Sequence, residues 1–353
     1  MKRTSRSRKS FKKIGSDKKA NFKQIKGLDV GTSFLNCAEN RGGHVSFRSS
    51  RNTFFDIDHT DFTKRMLSRA GINYIKRNDR LYVMGHEALE FANIFNKEVR
   101  RPLRTGVISP KEKEALPLVE ILIKGILGPA SRKRELIYYS IPGEPVDADF
   151  NITYHQSVLS ELLSRLGYAS RPINEGLAVI LSELNNQDFT GIGISFGGGM
   201  VNVCMSFMAA PVFSFSICKS GDWIDAQTAL AVDETNSKVC AFKENRLDLT
   251  KKKGLSRIER AFSAYYDNLI EYVIKHLKRK FENAKEMPAL KKPVDIVMCG
   301  GTSLPKGFLR RFNQTLKRID LPHAVGKVSV ARDPMNTVAN GALISGIADE
   351  NKE

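Results

Sequence analysis

The hydrophobic and polar positions of the chain fall into blocks of two periods. Between residues 25 and 57 the apolar positions sit in short runs, Ile25 to Glu39, Val45 to Arg48 and Thr53 to Ile57, with Arg41-Gly42-Gly43-His44 as a turn. This predicts a β-meander whose first turn carries Asp29. Segment 61–98 is mixed, with a short strand at Arg80 to Met84 and a short helix at Glu87 to Phe95. Further on, the pattern predicts a helix over Glu112 to Leu127 despite Pro117, and a strand over Glu135 to Ile141 ended by Pro142-Gly143. It then predicts a helix over Tyr154 to Leu166 and an extended run from Tyr168 to Ile173. Strands return at Ile192 to Ile194, Val201 to Phe207 and Val212 to Cys218, and Gly221 to Asp225 opens a helix with Asp222 placed as its N-cap. Leu255, Ile258, Phe262, Tyr266, Leu269, Val273, Leu277 and Phe281 keep helical spacing, so that stripe belongs to a core. Val294 to Met298 is the last strand, and Asn336 to Ala348 a small-residue helix that closes the fold. Strands alternating with helices predict an α/β fold.

Three glycine turns punctuate this pattern, each after an apolar run. They are Gly27-Leu28-Asp29-Val30-Gly31-Thr32-Ser33, Ser195-Phe196-Gly197-Gly198-Gly199 and Met298-Cys299-Gly300-Gly301-Thr302. The first two repeat one arrangement, strand, glycine turn and strand, so the chain is expected to have two similar halves with a ligand cleft between them. Glycine brings main-chain N–H groups close to an anion, and two such turns can grip a triphosphate from opposite sides while the third faces the nucleoside. Taken singly, an Asp-x-Gly-Thr after a strand also reads as an ordinary hairpin; order and separation carry the stronger reading. Neither Gly-x-x-x-x-Gly-Lys-Ser/Thr nor a Gly-x-Gly-x-x-Gly opening a helix after the first strand is present.

Composition adds a globular core, a basic arm and thiols. A chain of 353 residues with 41% hydrophobic content has enough apolar material for two domains. No apolar stretch reaches the roughly 18 residues of a spanning helix, and a cytoplasmic protein is expected. Cys37, Cys204, Cys218, Cys240 and Cys299 lack metal or redox spacing and read as buried reduced thiols. The net charge of +18 is uneven, since residues 1–26 hold eleven Lys or Arg against the single acid Asp17. That segment reads as a disordered arm, either simply solvated or in contact with nucleic acid or an anionic membrane.

The three turns, in this order, resemble those of the actin, sugar kinase and heat-shock ATPase superfamily, and within it the bacterial actins of the MreB and MamK kind, over roughly residues 25–348. Gly-Leu-Asp-Val-Gly-Thr-Ser is similar to the first phosphate loop, Gly-Ile-Ser-Phe-Gly-Gly-Gly to the second, and Val-Met-Cys-Gly-Gly-Thr-Ser-Leu-Pro-Lys-Gly to the adenosine loop. Arg101-Pro102-Leu103-Arg104-Thr105-Gly106-Val107-Ile108 looks like the bacterial-actin stretch ending Pro-Leu-x-x-Gly-Val. Asn174-Glu175-Gly176 is similar to an Asn-Glu-Pro connector with Gly for Pro, and Gly221-Asp222-x-x-Asp225 and Ala241-Phe242-Lys243-Glu244 also match.

The resemblance implies an actin-like two-domain ATPase fold. Residues 1–24 would be the basic arm, 25–173 plus 336–353 the first domain with a small subdomain at about 58–100, and 174–335 the second. It implies ATP and Mg²⁺ as cofactors. Asp29 would hold the metal through water. Gly31, Thr32 and Ser33 with Gly197, Gly198 and Gly199 would bind phosphate, and Lys243, Glu244, Gly300, Gly301 and Thr302 would surround adenosine. Glu175 would orient or deprotonate the attacking water. On the residues alone Asp29 also reads as a turn cap, Glu175 as a helix-terminal charge, and Lys243 with Glu244 as a solvated helix face.

The second phosphate loop departs from the family pattern. Ser195 and Met200 stand where an Asp and a Thr are usual, removing a negative charge near Mg²⁺ and a hydroxyl for phosphate. Slow hydrolysis and binding without turnover both fit. The resemblance implies a nucleotide-dependent filament former, a homopolymer with itself as partner; a non-polymerising nucleotide-binding scaffold recruited by its arm is the alternative. A heat-shock chaperone is unsupported, because too few residues follow the last helix for a peptide-binding domain. A sugar kinase is unsupported because residues 45–190 offer no hydroxyl-recognition segment.

Overall fold

The computed structural model describes residues 24–350 except 93–97, 110, 113, 285–286 and 291. The predicted basic arm therefore lies outside the described residues, Gln24 apart.

The chain opens with three antiparallel strands, β1 (Lys26–Val30), β2 (Phe34–Arg41) and β3 (His44–Arg51). Asp29 lies within β1, not in the turn, which is made by residues 31–33. The strand is buried on both faces, including Lys26, whose ammonium bonds Tyr168 at 2.8 Å and Glu135 at 3.2 Å. Next come β4 (Phe54–Asp58), α1 (Asp61–Arg69), β5 (Tyr74–Arg77), β6 (Arg80–Met84) and α2 (His86–Ala92). β4, β6 and β5 make a small antiparallel sheet that begins at Phe54. The helix predicted to Phe95 is described only to Ala92. A two-strand ribbon, β7 (Leu103–Arg104) and β8 (Val107–Ile108), leads to α3 (Ala115–Leu127). Pro117 falls in the first turn of α3, where its missing N–H has no intrahelical partner to lose. β9 (Glu135–Ile141), α4 (Thr153–Arg165) and β10 (Tyr168–Asn174) complete the first half.

After α5 (Glu175–Glu183) the pattern starts again with β11 (Gly191–Phe196), β12 (Val201–Phe207) and β13 (Ala210–Ile217). Helices α6 (Gly221–Val232), α7 (Asn236–Arg246) and α8 (Arg257–Asn283) follow. Then come β14 (Val294–Cys299), α9 (Phe308–Ile319), β15 (Val325–Val330) and α10 (Thr337–Glu350). In α8 the predicted stripe is buried from Phe262 to Phe281, and a capping box between Ser256 and Glu259 starts the helix two residues after the expected Leu255.

The two five-stranded sheets share one topology. In the first, β1 sits centrally, antiparallel to β2 and parallel to β9, with β3 and β10 at the edges. In the second, β11 is central, antiparallel to β12 and parallel to β14, with β13 and β15 at the edges. Each sheet packs against its own helices, α3 and α4 in the first half and α6, α8 and α9 in the second. Helices α5 and α10 cross between them, so closely that a Cβ on Gly341 would overlap the backbone of Ala178, and one on Gly176 would lie 2.5 Å from the Cys204 nitrogen. That approach accounts for Gly176 where the family connector has Pro.

Candidate functional site

The two phosphate-loop candidates are built alike. Gly31 N–H donates to the Phe34 carbonyl at 3.0 Å, and Gly197 N–H donates to the Met200 carbonyl at 3.0 Å, each closing a two-residue hairpin between adjacent strands. The turns face and touch each other. A Cβ on Gly198 would collide with Ser33 Oγ, and one on Gly199 with Thr32 Oγ1 and, at 2.6 Å, with the Gly106 nitrogen. Glycine is thus required here by the approach of the opposite half. Gly106 N–H donates to Thr32 Oγ1 at 3.0 Å. The third turn docks on the second, with Thr302 Oγ1 donating to the Gly197 carbonyl at 2.9 Å. Gly300, at φ +89°, leaves no room for a Cβ against the Phe196 backbone.

Between the halves lies a cavity of about 840 Å³. Every residue singled out from the sequence lines it: Asp29, Gly31, Thr32 and Ser33; Glu175; Gly197, Gly198 and Gly199; Lys243 and Glu244; Gly300, Gly301 and Thr302. Its size suits a ligand of nucleotide dimensions.

Two carboxylates share the deep end. Asp29 accepts hydrogen bonds from Ser140 Oγ at 2.9 Å and from Asn36 Nδ2 at 3.2 Å, while Ser49 fixes the Asn36 amide by donating to its Oδ1 at 2.7 Å. Glu175, the first residue of α5, accepts from Asn202 Nδ2 at 2.8 Å, and Asn202 Oδ1 accepts from Gly143 N–H at 3.0 Å. Burial raises the Asp29 carboxyl, with Ser140 and Asn36 opposing. Burial and then the charge of Asp29 raise Glu175, with Ser195 and Asn202 opposing. Two carboxyls that hold protons above their ordinary range and face each other suit a hard divalent cation bound through water. Among the described residues there is no group of three or more His, Cys, Asp or Glu able to hold a metal by themselves, so water and ligand oxygens would have to complete such a shell.

Equivalent positions in the two hairpins diverge at the residue that carries the charge. Asp29 pairs in register with Asn36, and Ser195 with Asn202. The asparagine stays, but opposite it the second half has a hydroxyl, and Asn202 turns to Glu175 instead. Met200 is buried and offers no hydroxyl, as the sequence implied.

At the other end the basic residues are already engaged. Lys243 donates to Asp225 at 2.6 Å and to the Gly221 carbonyl at 3.3 Å; burial works against its charge, and Asp225 together with Tyr266 and Cys240 more than offsets it. Glu244 takes a two-pronged contact from Arg51, at 2.6 and 3.3 Å. Burial would raise the Glu244 carboxyl, yet the Arg51 guanidinium holds it below the ordinary range. Neither residue is the freely solvated helix face that the residues alone allowed. Asp222 does not cap α6. Ser220 occupies that position, its hydroxyl donating to the Gly198 carbonyl, and Asp222 receives Arg101 across the cleft at 2.5 Å.

The sequence reading missed Asn36, Asn202 and Ser140, which hold the carboxylates, and the cross-cleft pairs Arg51–Glu244 and Arg101–Asp222. The asparagines had a signal, since each stands seven residues after the matching strand position before its turn, Asp29 or Ser195. The ion pairs join residues 193 and 121 positions apart and had none.

A profile of the family described as Volactin matches residues 25–346. The chain belongs to that family. A search of curated proteins finds no match. Among solved structures the chain is similar to the MamK double helical filament, at 17% identity and TM-score 0.71, covering 94% of this chain and 99% of that one. It is similar to MreB5 of Spiroplasma citri bound to AMPPNP, at 16% identity and TM-score 0.67, covering 94% and 98%. It is also similar to the ethanolamine utilization protein EutJ from Carboxydothermus hydrogenoformans, at 14% identity and TM-score 0.53, covering 91% and 89%. These likenesses establish the fold: α/β and actin-like, with two sheet–helix domains.

Proposed function

From membership in the Volactin family, we propose that this chain is an ATP-binding actin-like protein that assembles into nucleotide-dependent filaments. The observation that carries the reading is the convergence of three glycine turns, far apart in sequence, on one cavity whose deep end holds two carboxylates with raised pKa. The similarity to a MamK filament and to an AMPPNP-bound MreB5 supports it.

In this reading Gly31, Thr32 and Ser33 grip the phosphates from one side and Gly197, Gly198 and Gly199 from the other, through main-chain N–H groups and the two hydroxyls. Gly300, Gly301 and Thr302 face the nucleoside, with Glu244 released from Arg51 to accept from ribose and Lys243 remaining in the wall. Asp29 would hold Mg²⁺ through water, and the cation would supply charge that screens the phosphates. Glu175, oriented by Asn202, positions a water or takes its proton. Ser195 supplies no charge, and losing one preorganised electrostatic contact costs on the order of a hundred- to thousandfold in rate, so turnover is slow. Nucleotide sets the angle between the halves, and that angle sets affinity for the next subunit in a non-closing, head-to-tail assembly.

Residues 1–26 would tether such polymers to an anionic surface in the cytoplasm, a membrane or nucleoid DNA. Among the described residues no helix is long and apolar enough to cross a membrane. Deleting residues 1–24 should abolish salt-sensitive pelleting with anionic liposomes or DNA, and unchanged pelleting rejects the tether.

The decisive experiment is sedimentation with electron microscopy of the pellet, with and without ATP and Mg²⁺, alongside phosphate release. Filaments that require ATP and are lost in Asp29→Ala support the reading. A chain that binds ATP yet stays soluble at tens of micromolar is the non-polymerising scaffold instead.

A further inference from the structure

Among the basic side chains lining the cavity, Arg101 lies at the meeting point of the two phosphate-loop turns. It precedes the ribbon whose Gly106 bonds Thr32, and its Nη1 donates at 2.5 Å to Asp222 Oδ1. That same Asp222 oxygen lies 3.3 Å from where a Gly198 Cβ would stand, next to Ser33 Oγ. The guanidinium comes from the first half and the carboxylate from the second, so the pair spans the cleft at the mouth of the anion cradle. Three other basic residues on this wall, Arg51, Lys243 and Lys251, pair instead with Glu244, Asp225 and Glu259. The phosphate-loop segments themselves, Asp29 to Ser33 and Ser195 to Gly199, contain no Lys or Arg.

A polyphosphate entering between these turns would carry several negative charges into a cradle that supplies N–H groups and hydroxyls but no cation of its own. We propose that Arg101 is the phosphate-binding cation of this site, and that Asp222 is its stand-in partner, displaced when a polyphosphate arrives. Arginine suits the exchange, because its planar fork matches a carboxylate and a phosphate equally well. The cross-cleft ion pair then breaks on binding, and the arginine bridges the first half to the ligand in place of the second half. This inference deepens the nucleotide reading and rests on it only for the nucleoside; the phosphate chemistry stands by itself.

The two partners give opposite predictions. Titration of the full chain with ATP, ADP, adenosine and inorganic tripolyphosphate, each with Mg²⁺, is the measurement. Arg101→Ala should weaken ATP and tripolyphosphate by roughly tenfold to a hundredfold, the range of a charge-assisted hydrogen bond, and leave adenosine unchanged. Asp222→Asn should tighten both phosphate ligands by several-fold, because the competing carboxylate is gone, and Arg101→Lys should recover only part of the loss. A latch that merely holds the halves together would make Arg101→Ala and Asp222→Asn change affinity in the same direction, and that result overturns the proposal while leaving nucleotide binding intact. Tripolyphosphate binding that needs Arg101, in a chain that does not discriminate ATP from it, supports the proposal and overturns the nucleoside assignment. Wild-type chain that binds neither ATP nor tripolyphosphate overturns both.

Discussion

The hairpin around Gly31 and the hairpin around Gly197 have the same strand order, the same 3.0 Å closure and an asparagine at the same register position, yet different chemistry. In the first, Asn36 and Ser140 hold the carboxylate of Asp29 within its own sheet. In the second, Ser195 pairs in register with Cys299 and Asn202, and the nearest carboxylate, Glu175, is borrowed from the start of α5. A repeated backbone thus fixes where ligand-facing groups can stand, and a single side chain decides whether that position carries charge. The lesson is that symmetry in the scaffold gives no assurance of symmetry in the site.

That contrast can be broken from either side. The largest effect is expected from Asp29→Ser, which makes the first hairpin chemically like the second: Mg²⁺-dependent phosphate release should fall by about a hundred- to thousandfold, read as turnover at saturating ATP. Next, Gly199→Ala fills the seam where the hairpins touch and should lower stability by about 1–3 kcal/mol in denaturant titration, because Thr32 and the Gly106 backbone must move. Ser195→Asp works in the opposite direction, giving the second hairpin the acid it lacks. With Mg²⁺ it should raise turnover by about tenfold, a gain equivalent to roughly 1.4 kcal/mol of barrier, and without the cation it should lower the melting temperature, since a third carboxylate then faces Asp29 and Glu175.

The smallest effect is a pH slope. Burial raises both Asp29 and Glu175, so the folded chain keeps protons that the unfolded chain has already released. Stability in the absence of cations should therefore be full at acid pH and fall as pH rises through the ordinary carboxylate range toward the raised values, where the loss is complete. Melting curves across that interval should flatten on addition of Mg²⁺, and a slope of the same size with and without the cation would count against a shared cation at the two carboxyls.

Much of this was legible in the sequence for a definite reason. Strand, glycine turn and strand are local patterns, and the spacing of Asp29, Gly197 and Gly300 within them survives in one dimension; all three reach the same cavity. Helix α8 was equally readable, because its buried stripe is set by its own periodicity. What the sequence concealed depends on distant partners. Asp222 looks like an N-cap from its neighbours, but α6 already begins at Gly221, which leaves that position to Ser220, and Arg101 claims the carboxylate from the other half. Lys243 and Glu244 look like a solvated pair until α6 and β3 bring Asp225 and Arg51 against them. Asp29 was expected in a turn because Gly31 follows it so closely, whereas pairing with Asn36 keeps it in the strand.

The crossing of α5 and α10 has a mechanical meaning. Helices that interlock through large side chains resist twisting, since each ridge must climb out of its groove. Here Gly341 rests on the main chain of Ala178, so the closest point of the crossing has no interlocking side chain, and Asn340 donates to Ser182 beside it. Such a joint is suited to serve as an axle. An axle at that place would carry load between the two halves while opposing little torque. Glu175 opens α5, so a ligand at the deep end of the cavity would press directly on one half of that joint.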